Sequence, residues 1–418
     1  MIIPSIDISG GQAVQLVGGE TLAIQAGDPL PLMERFSMVG EVAVIDIDAA
    51  RGDGHNQELI TELCRRGRGR VGGGIRDLET ARRWLDLGAE KVIIGTAATP
   101  ELLSSLPRDR VIVALDSRDG DVLSHGWRTP TGHRLLDRIS ELSHLCEGFL
   151  VTFVEREGQL GGTDLDRANQ VMAAAGEARV TIAGGITSVD EIAALDRLGA
   201  DAQVGMALYT GAISLADAVT APLVSDRGDG LWPTVVVDEA GFALGLTWSS
   251  SESLRQAVEA RRGIYQSRSR GVWVKGETSG AVQELLRVDL DCDRDTLRFT
   301  VRQHGPGFCH TGDRTCWGSD HGLGRLQRRI LDPEKGPDSN TRKLLHDPTL
   351  LAAKIREEAD ELAEAADGEQ VMAEAADLLY FLLVKTASSG VSLDEVETEL
   401  DRRERRVTRR PMTSKEAR

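Results

Sequence analysis

Three cysteines, Cys292, Cys309 and Cys316, fall within a span of 25 residues, and alternating acids, Asp291, Asp293 and Asp295, bracket the first of them. Thiolates are soft ligands suited to zinc, and three of them leave a fourth position open for water. Carboxylates are hard oxygen ligands, and three that converge suit Mg²⁺. The pattern predicts a strand here, whose alternation puts the three acids on one face and Cys292 on the other. Buried apolar thiols and a solvated polar strand face are the plainer readings of the same residues. Farther on, Glu357, Glu358 and Glu361 share a helical face by i,i+3 and i,i+4 spacing, and Glu374 with Asp377 repeats the device. Two facing acidic ridges would hold Mg²⁺ for a diphosphate, although ordinary solvated helix faces carry the same pattern.

The first half of the chain offers a different chemistry. Asp7 and Asp116 each close an apolar run, where one carboxylate can accept a proton while the other donates one. Gly73-Gly74-Ile75 recurs as Gly184-Gly185-Ile186 at an offset of 111 residues. Glycines between a strand and a helix let backbone N–H groups approach a phosphate at the helix N-terminus. Two such turns, with Arg76, Gly95-Thr96 and Gly205 beside them, would grip a long substrate by a phosphate at each end. Tight βα turns alone are the plainer reading of the glycines.

The elements that must position these residues follow from periodicity. Short β-branched runs at 2–6, 42–47, 71, 92–94, 111–115, 149–154, 180–182 and 202–204 alternate with helical patterns such as 77–87 and 189–198. Eight βα units in about 220 residues predict a (β/α)8 TIM barrel with its catalytic face at the strand ends. Gly95 and Gly205 keep an offset of 110, and Asp7 and Asp116 one of 109, so the barrel reads as two similar halves. Residues 221–231 lose periodicity and read as a linker. The stretch 234–318 reads as α+β, with strands at 234–237, 285–290 and 297–301 and a helix around 252–260. After a polar joint at 319–324 the chain reads as helical, with amphipathic stretches at 350–366 and 370–387. The expected domains are therefore 1–222, 229–318 and 323–408, with a frayed tail at 409–418.

Composition excludes several classes. The chain has 418 residues, and 66 acidic against 49 basic residues give a net charge of −17, which disfavours binding a nucleic-acid polymer. A hydrophobic share of 41% describes globular material with real cores. The sequence shows neither a signal-peptide pattern nor an apolar run long enough for a membrane, so a cytoplasmic location is expected. Five cysteines, with Cys64 and Cys146 alone in apparently helical segments, do not form a disulfide framework.

Family resemblances sharpen this reading. Met1 to Asp7, Ile45 to Asp48 with Gly54-His55-Asn56, Gly72 to Arg76, Leu115-Asp116 with His125-Gly126-Trp127, and Gly205 to Gly211 resemble the histidine-biosynthetic ProFAR isomerase. The resemblance implies an Amadori rearrangement of an aminoaldose to an aminoketose, with Asp7 and Asp116 as acid and base and Thr152 as an assisting hydroxyl. Gln15 and Met206 stand where that family usually carries Arg, and Glu157-Gly158 where it usually shows Asp-Gly. Losing an Arg removes charge-assisted hydrogen bonds to phosphate, so a non-catalytic or altered-substrate barrel is the alternative reading.

Ser267 to Arg270, Trp273 to Gly280, Asp291 to Asp295 and Cys309-His310-Thr311-Gly312 with Cys316 resemble phosphoribosyl-AMP cyclohydrolase. That family implies zinc on Cys292, Cys309 and Cys316 activating water to open the adenine ring, and Mg²⁺ on Asp291, Asp293 and Asp295. It also implies phosphate contacts from Arg268, Arg270 and Lys275, and a site shared by two subunits. His310 is a proton carrier or a structural histidine. Lys354 to Glu361 and Glu374 to Tyr380, after Ser339-Asn340-Thr341, resemble the all-helical, MazG-like phosphoribosyl-ATP pyrophosphohydrolase. The three resemblances imply consecutive steps on small phosphoribosyl nucleotides, in a chain that dimerises through its C-terminal domains.

Overall fold

The computed structural model describes residues 1–124, 127–159, 161–331 and 339–409. Of the expected tail at 409–418, residues 410–418 lie outside the described residues, as do His125-Gly126. The described chain falls into two compact units, one of Met1–Val237, Gly245–Gly305 and Arg405–Arg418, the other of Asp238–Leu244 and Pro306–Glu404.

The first unit contains a closed barrel of eight parallel strands: Ile2–Ser9, Val42–Asp46, Gly69–Gly72, Lys91–Ile94, Val111–Arg118, Gly148–Phe153, Arg179–Ala183 and Asp201–Val204. Closure is made by the first strand pairing with the eighth, Ile2 opposite Ala202. Ile3, Ala43, Ile93, Ile112, Leu150 and Ala183 meet in one interior layer, which is why these runs carry β-branched and small residues. The twofold repeat extends beyond the glycine turns. An antiparallel hairpin follows the first strand (Gln12–Val17, Thr21–Gly27) and another follows the fifth (Asp121–Ser124, Thr129–Arg134).

Helix starts are fixed locally. Asp77 accepts from Thr80 N–H at 2.7 Å to cap Leu78–Asp86, and Ser188 with Glu191 forms a capping box on Val189–Arg197. At the opposite end of the barrel, buried Arg70 and Lys91 both pair with Glu41, and Lys91 also reaches Glu147 at 2.9 Å.

The α+β segment forms a four-stranded sheet in the order Ala243–Ser249, Trp232–Val237, Leu297–Gln303, Gln283–Leu290, with the helix Ser251–Ala260. Sequence patterning did not anticipate the strand Ala243–Ser249 or the hairpin Ile264–Ser267 with Gly271–Val274. In the second unit, helices Gly322–Leu331, Asn340–His346, Pro348–Glu364, Gly368–Ser388 and Leu393–Glu404 gather around Ile330, Leu344, Leu351, Leu383 and Val384. Two local expectations are corrected: Cys146 lies after the helix Leu135–Leu142, not in it, and the 319–324 joint already becomes helical at Gly322.

Candidate active sites

Parallel pairing sets the first site. Asp7 sits near the end of the first strand, and Asp116 lies directly opposite Thr152 between the fifth and sixth strands. Burial pushes the Asp7 carboxyl up to about 7. Asp116 is also raised by burial, against the hydrogen bonds it accepts from Trp127 and Thr152. A buried carboxyl that retains its proton near neutrality can serve as a general acid.

Two residues without an assigned role join the pair. Glu157, first noted only as a loop departure, is pushed up to about 7 by burial and by the charges of Asp7 and Asp116, which puts it in the same mouth. Its place just past the sixth strand was the available signal, since that end of the barrel carries the chemistry. Trp127, at φ +69°, reaches Asp116 from the second hairpin and packs against Gly19 of the first, where an added Cβ would lie 2.7 Å from the indole ring. Arg128 pairs with Glu20 at 2.9 Å in the same contact, so the two hairpins meet.

The glycine turns obey the repeat in space. Gly73 and Gly184 have φ of +95° and +100°, and a Cβ at either would strike the end of the neighbouring barrel strand, Asp46 O at 2.2 Å or Phe153 O at 2.7 Å. Glycine is therefore required by the backbone itself at both turns, whatever ligand they hold. Gly74 and Gly185 follow at φ +69° and +80°, before the capped helices. Arg76 lends its guanidinium to the carbonyl of Ala50 at 3.0 Å. Gly95, with open space where a side chain would project, and exposed Thr96 follow the fourth strand. Gly205 follows the eighth, packed against Gln15, whose buried amide donates to Val14 O at 3.0 Å.

The acid run 291–295 departs from expectation. The strand ends at Leu290 and the acids occupy a tight loop, with Arg294 at φ +66°. Alternation along a strand is thus not what aligns them; the loop brings ligand oxygens of Asp291, Asp293 and Asp295 within 4.8 Å of one another. Burial opposes ionisation of Asp291, but hydrogen bonds from Thr296 and Asp295 hold its carboxyl below the usual range. Cys292 is exposed, its thiol 3.9 Å from Asp293 Oδ1. Arg268 and Arg270 are exposed at the turn of the Ile264–Ser267 hairpin, with Arg268 over the Trp248 ring at 5.6 Å, and Lys275 is buried.

In the second unit, Cys309 and Cys316 are in contact, and hydrogen bonds from Thr311 and then Cys316 draw the Cys309 thiol below its ordinary range. His310 Nδ1 lies 3.7 Å from Cys309 Sγ. By contrast, burial pushes Cys64 and Cys146 up to about 12, which marks them as structural. The helical acids sort themselves: Glu358, Glu374 and Asp377 bring ligand atoms within 4.8 Å of one another, with Glu358 buried. Burial and the neighbouring Glu361, Glu358 and Asp377 raise the Glu374 carboxyl. Glu357 instead turns to Lys354 at 2.9 Å and stands outside the group.

Residues 1–214 match the family described as "Histidine biosynthesis protein", 245–318 match "Phosphoribosyl-AMP cyclohydrolase" and 323–404 match "Phosphoribosyl-ATP pyrophosphohydrolase". A histidine biosynthesis trifunctional protein of Komagataella pastoris is 34% identical over 397 residues, 94% of this chain and 42% of the relative. A histidine biosynthesis bifunctional protein of Schizosaccharomyces pombe is 47% identical over 207 residues, 49% of this chain and 50% of the relative. The 1-(5-phosphoribosyl)-5-((5-phosphoribosylamino)methylideneamino) imidazole-4-carboxamide isomerase of Gemmatimonas aurantiaca is 40% identical over 225 residues, half of this chain and 94% of the relative. The chain thus spans half or less of the length of the two fungal relatives.

Proposed function

The chain belongs to the histidine biosynthesis protein family, and from that premise we propose that it carries out three consecutive steps on small phosphoribosyl nucleotides. The helical region removes diphosphate from phosphoribosyl-ATP, the α+β region opens the adenine ring of phosphoribosyl-AMP, and the barrel isomerises the resulting ProFAR to its ketose. The observation that carries the barrel step is that Asp7, whose carboxyl burial pushes up to about 7, and Asp116, held by Trp127 and Thr152, share the barrel mouth with Glu157, which feels both. An Amadori rearrangement needs a proton delivered to the sugar ring oxygen and another withdrawn from C2. Asp7 has the proton to deliver, and Asp116, whose carboxylate accepts two hydrogen bonds, is suited to receive one. The two glycine turns, each opening a helix after a barrel strand, would offer backbone N–H groups to the two terminal phosphates of ProFAR.

The donor sets suit two metals. Zinc on Cys309 and Cys316, which lie in contact, would supply an activated water for ring opening, and the lowered Cys309 thiol is the chemical observation that suits it; Cys292, the third ligand that the resemblance implies, is not gathered with them into one ligand group among the described residues. Magnesium on Asp291, Asp293 and Asp295, and on Glu358, Glu374 and Asp377, would supply positive charge beside phosphate oxygens. Glu361, whose carboxyl meets Glu374, belongs with the second group. Arg268, Arg270 and Lys275 bind substrate phosphate, and His310 carries a proton beside Cys309. A homodimer through the C-terminal regions is supported by the exposed Val371, Met372, Leu379 and Leu382 of one helix. No described helix is long and apolar enough to cross a membrane.

Feeding the purified chain phosphoribosyl-ATP with Mg²⁺ and Zn²⁺, and resolving ProFAR from its ketose by chromatography, tests all three steps. Accumulation of the ketose is expected. Arrest at ProFAR would favour a second reading, in which the barrel binds without turning over, motivated by the neutral Gln15 amide buried against Gly205.

A further inference from the structure

The loop that gathers Asp291, Asp293 and Asp295 is strained and crowded with like charge. Arg294 occupies the left-handed region at φ +66°, which a residue with a Cβ adopts at a cost and retains only where its surroundings hold it. Three carboxylates within 4.8 Å of one another repel in the absence of a cation. The loop therefore needs ties. Some are its own: Asp291 Oδ1 accepts from the N–H groups of Asp295 at 3.0 Å and Thr296 at 3.1 Å. Another reaches across 98 positions of sequence to the barrel. Arg294 Nε donates to Asp196 Oδ2 at 3.1 Å and Nη2 to Oδ1 at 3.0 Å, a forked pair largely shielded from solvent. The remaining arm, Nη1, donates to Asp291 O at 2.7 Å, so one guanidinium joins the barrel helix Val189–Arg197 to the first residue of the loop. The linker adds a further tie, Val224 N–H to Arg294 O at 2.9 Å.

We propose that Asp196, on the outer layer of the barrel, is a positioning residue for the carboxylate loop: through Arg294 it holds Asp291, Asp293 and Asp295 in their ligand-presenting arrangement before a divalent cation arrives. This rests on the reading of that loop as a cation site and adds that the barrel forms part of its structure. The barrel contributes no ligand. It supplies the rigid anchor that offsets carboxylate repulsion and the strained Arg294 backbone, so less ordering remains to be done on binding.

The test is Mn²⁺ binding, followed by calorimetry and by the paramagnetic signal of the ion, on the full chain and its variants. The component of binding abolished by Asp293→Asn defines the loop site. Asp196→Ala should weaken that component roughly tenfold or more, the usual effect of removing an outer partner of a metal site. Asp196→Glu should recover part of it. Arg294→Gly, which leaves the barrel untouched and relieves the strained backbone, should weaken it similarly, and the double variant should be no worse than either single one. If Asp196→Ala does not fold, Arg294→Gly alone carries the comparison. Unchanged loop affinity in the folded variants, or losses that simply add, overturns the brace while leaving the cation site standing. A wild-type chain with no binding component sensitive to Asp293→Asn overturns both.

Discussion

Thr152 faces Asp116 across the fifth and sixth barrel strands, and its hydroxyl donates to the carboxylate that Trp127 also holds. Asp7, at the end of the first strand, is shifted by burial alone. The two halves of a duplicated barrel have thus given equivalent carboxylates unequal surroundings, and unequal surroundings separate an acid from a base.

Asp7→Asn and Asp116→Asn should each lower isomerisation of ProFAR by about 10²- to 10⁴-fold, the usual worth of a positioned proton-transfer group. Thr152→Val should cost less, about tenfold, since it removes one of the two hydrogen bonds that the Asp116 carboxylate accepts. Ring opening and diphosphate release, assayed on the same preparations, should be unchanged. Loss of all three activities together would point to misfolding and refute the assignment.

The pH dependence of isomerisation should show a limb near 7, because Asp7 and Glu157 both titrate there and share one mouth. Such groups titrate as a coupled set. Glu157→Gln removes a negative neighbour, so the limb should move to lower pH. Stability carries the opposite face of the shift. Folded Asp7 binds its proton up to about pH 7, whereas an unfolded aspartate releases it near 3.8, so the folded state loses stability as pH rises between those values. Asp7→Asn should therefore unfold at a higher temperature than wild type at pH 8, with little difference at pH 4. A pH-independent difference in melting temperature would contradict the burial argument.

The barrel was legible because its signals are local and repeated: β-branched runs at the strands Ile2–Ser9, Val111–Arg118 and Gly148–Phe153, and glycine turns at Gly73 and Gly184 that backbone crowding makes obligatory. The acid run was legible as a cluster but not in its shape. A period of two predicted a strand, yet the strand stops at Leu290 and the acids fall in a loop where Arg294 takes a left-handed conformation, tied to Asp291 O, to Val224 N–H and to distant Asp196. Likewise, Glu357 and Glu358 both stand at helical spacing from Glu361, at i,i+4 and i,i+3. Only packing shows that Glu358 is buried facing Glu374 and Asp377 while Glu357 turns to Lys354. Alternation and helical spacing decide which faces exist; which of them meet is set by contacts far apart in sequence.

Glu41 should govern the acid stability of the barrel. Arg70 and Lys91, both buried, hold its carboxyl at about 2 against the burial that would raise it. A lowered carboxylate contributes stability that is complete above its unfolded value near 4.5 and is lost as pH falls towards 2. Glu41→Gln leaves two cations buried without their shared partner and should cost roughly 3–5 kcal/mol at pH 7. The cost should shrink below pH 4.5. Denaturant unfolding at pH 7 and pH 3 measures both, and an equal cost at the two values would show that the ion pairs contribute nothing.

The helical unit should respond to Mg²⁺ through Glu358, Glu374 and Asp377. Without a cation these three carboxylates crowd within 4.8 Å, and Glu374 is raised by burial and by its acidic neighbours. A cation would relieve that repulsion, and a ligand bound only by the folded state stabilises it by about 2.7 kcal/mol at 100 times its dissociation constant. Saturating Mg²⁺ should raise the melting temperature of the chain, and Asp377→Asn should abolish the part contributed by this group. The Asp291, Asp293 and Asp295 loop also responds to the cation, so Asp293→Asn serves as the reference that removes its share. Phosphoribosyl-ATP hydrolysis should fall at least about 10²-fold in Asp377→Asn, whereas Glu357→Gln, whose carboxylate faces Lys354 and not the group, should retain most of it. Equal losses in the two variants would mean that the acidic helix faces act as a diffuse field, with no defined cation position between them.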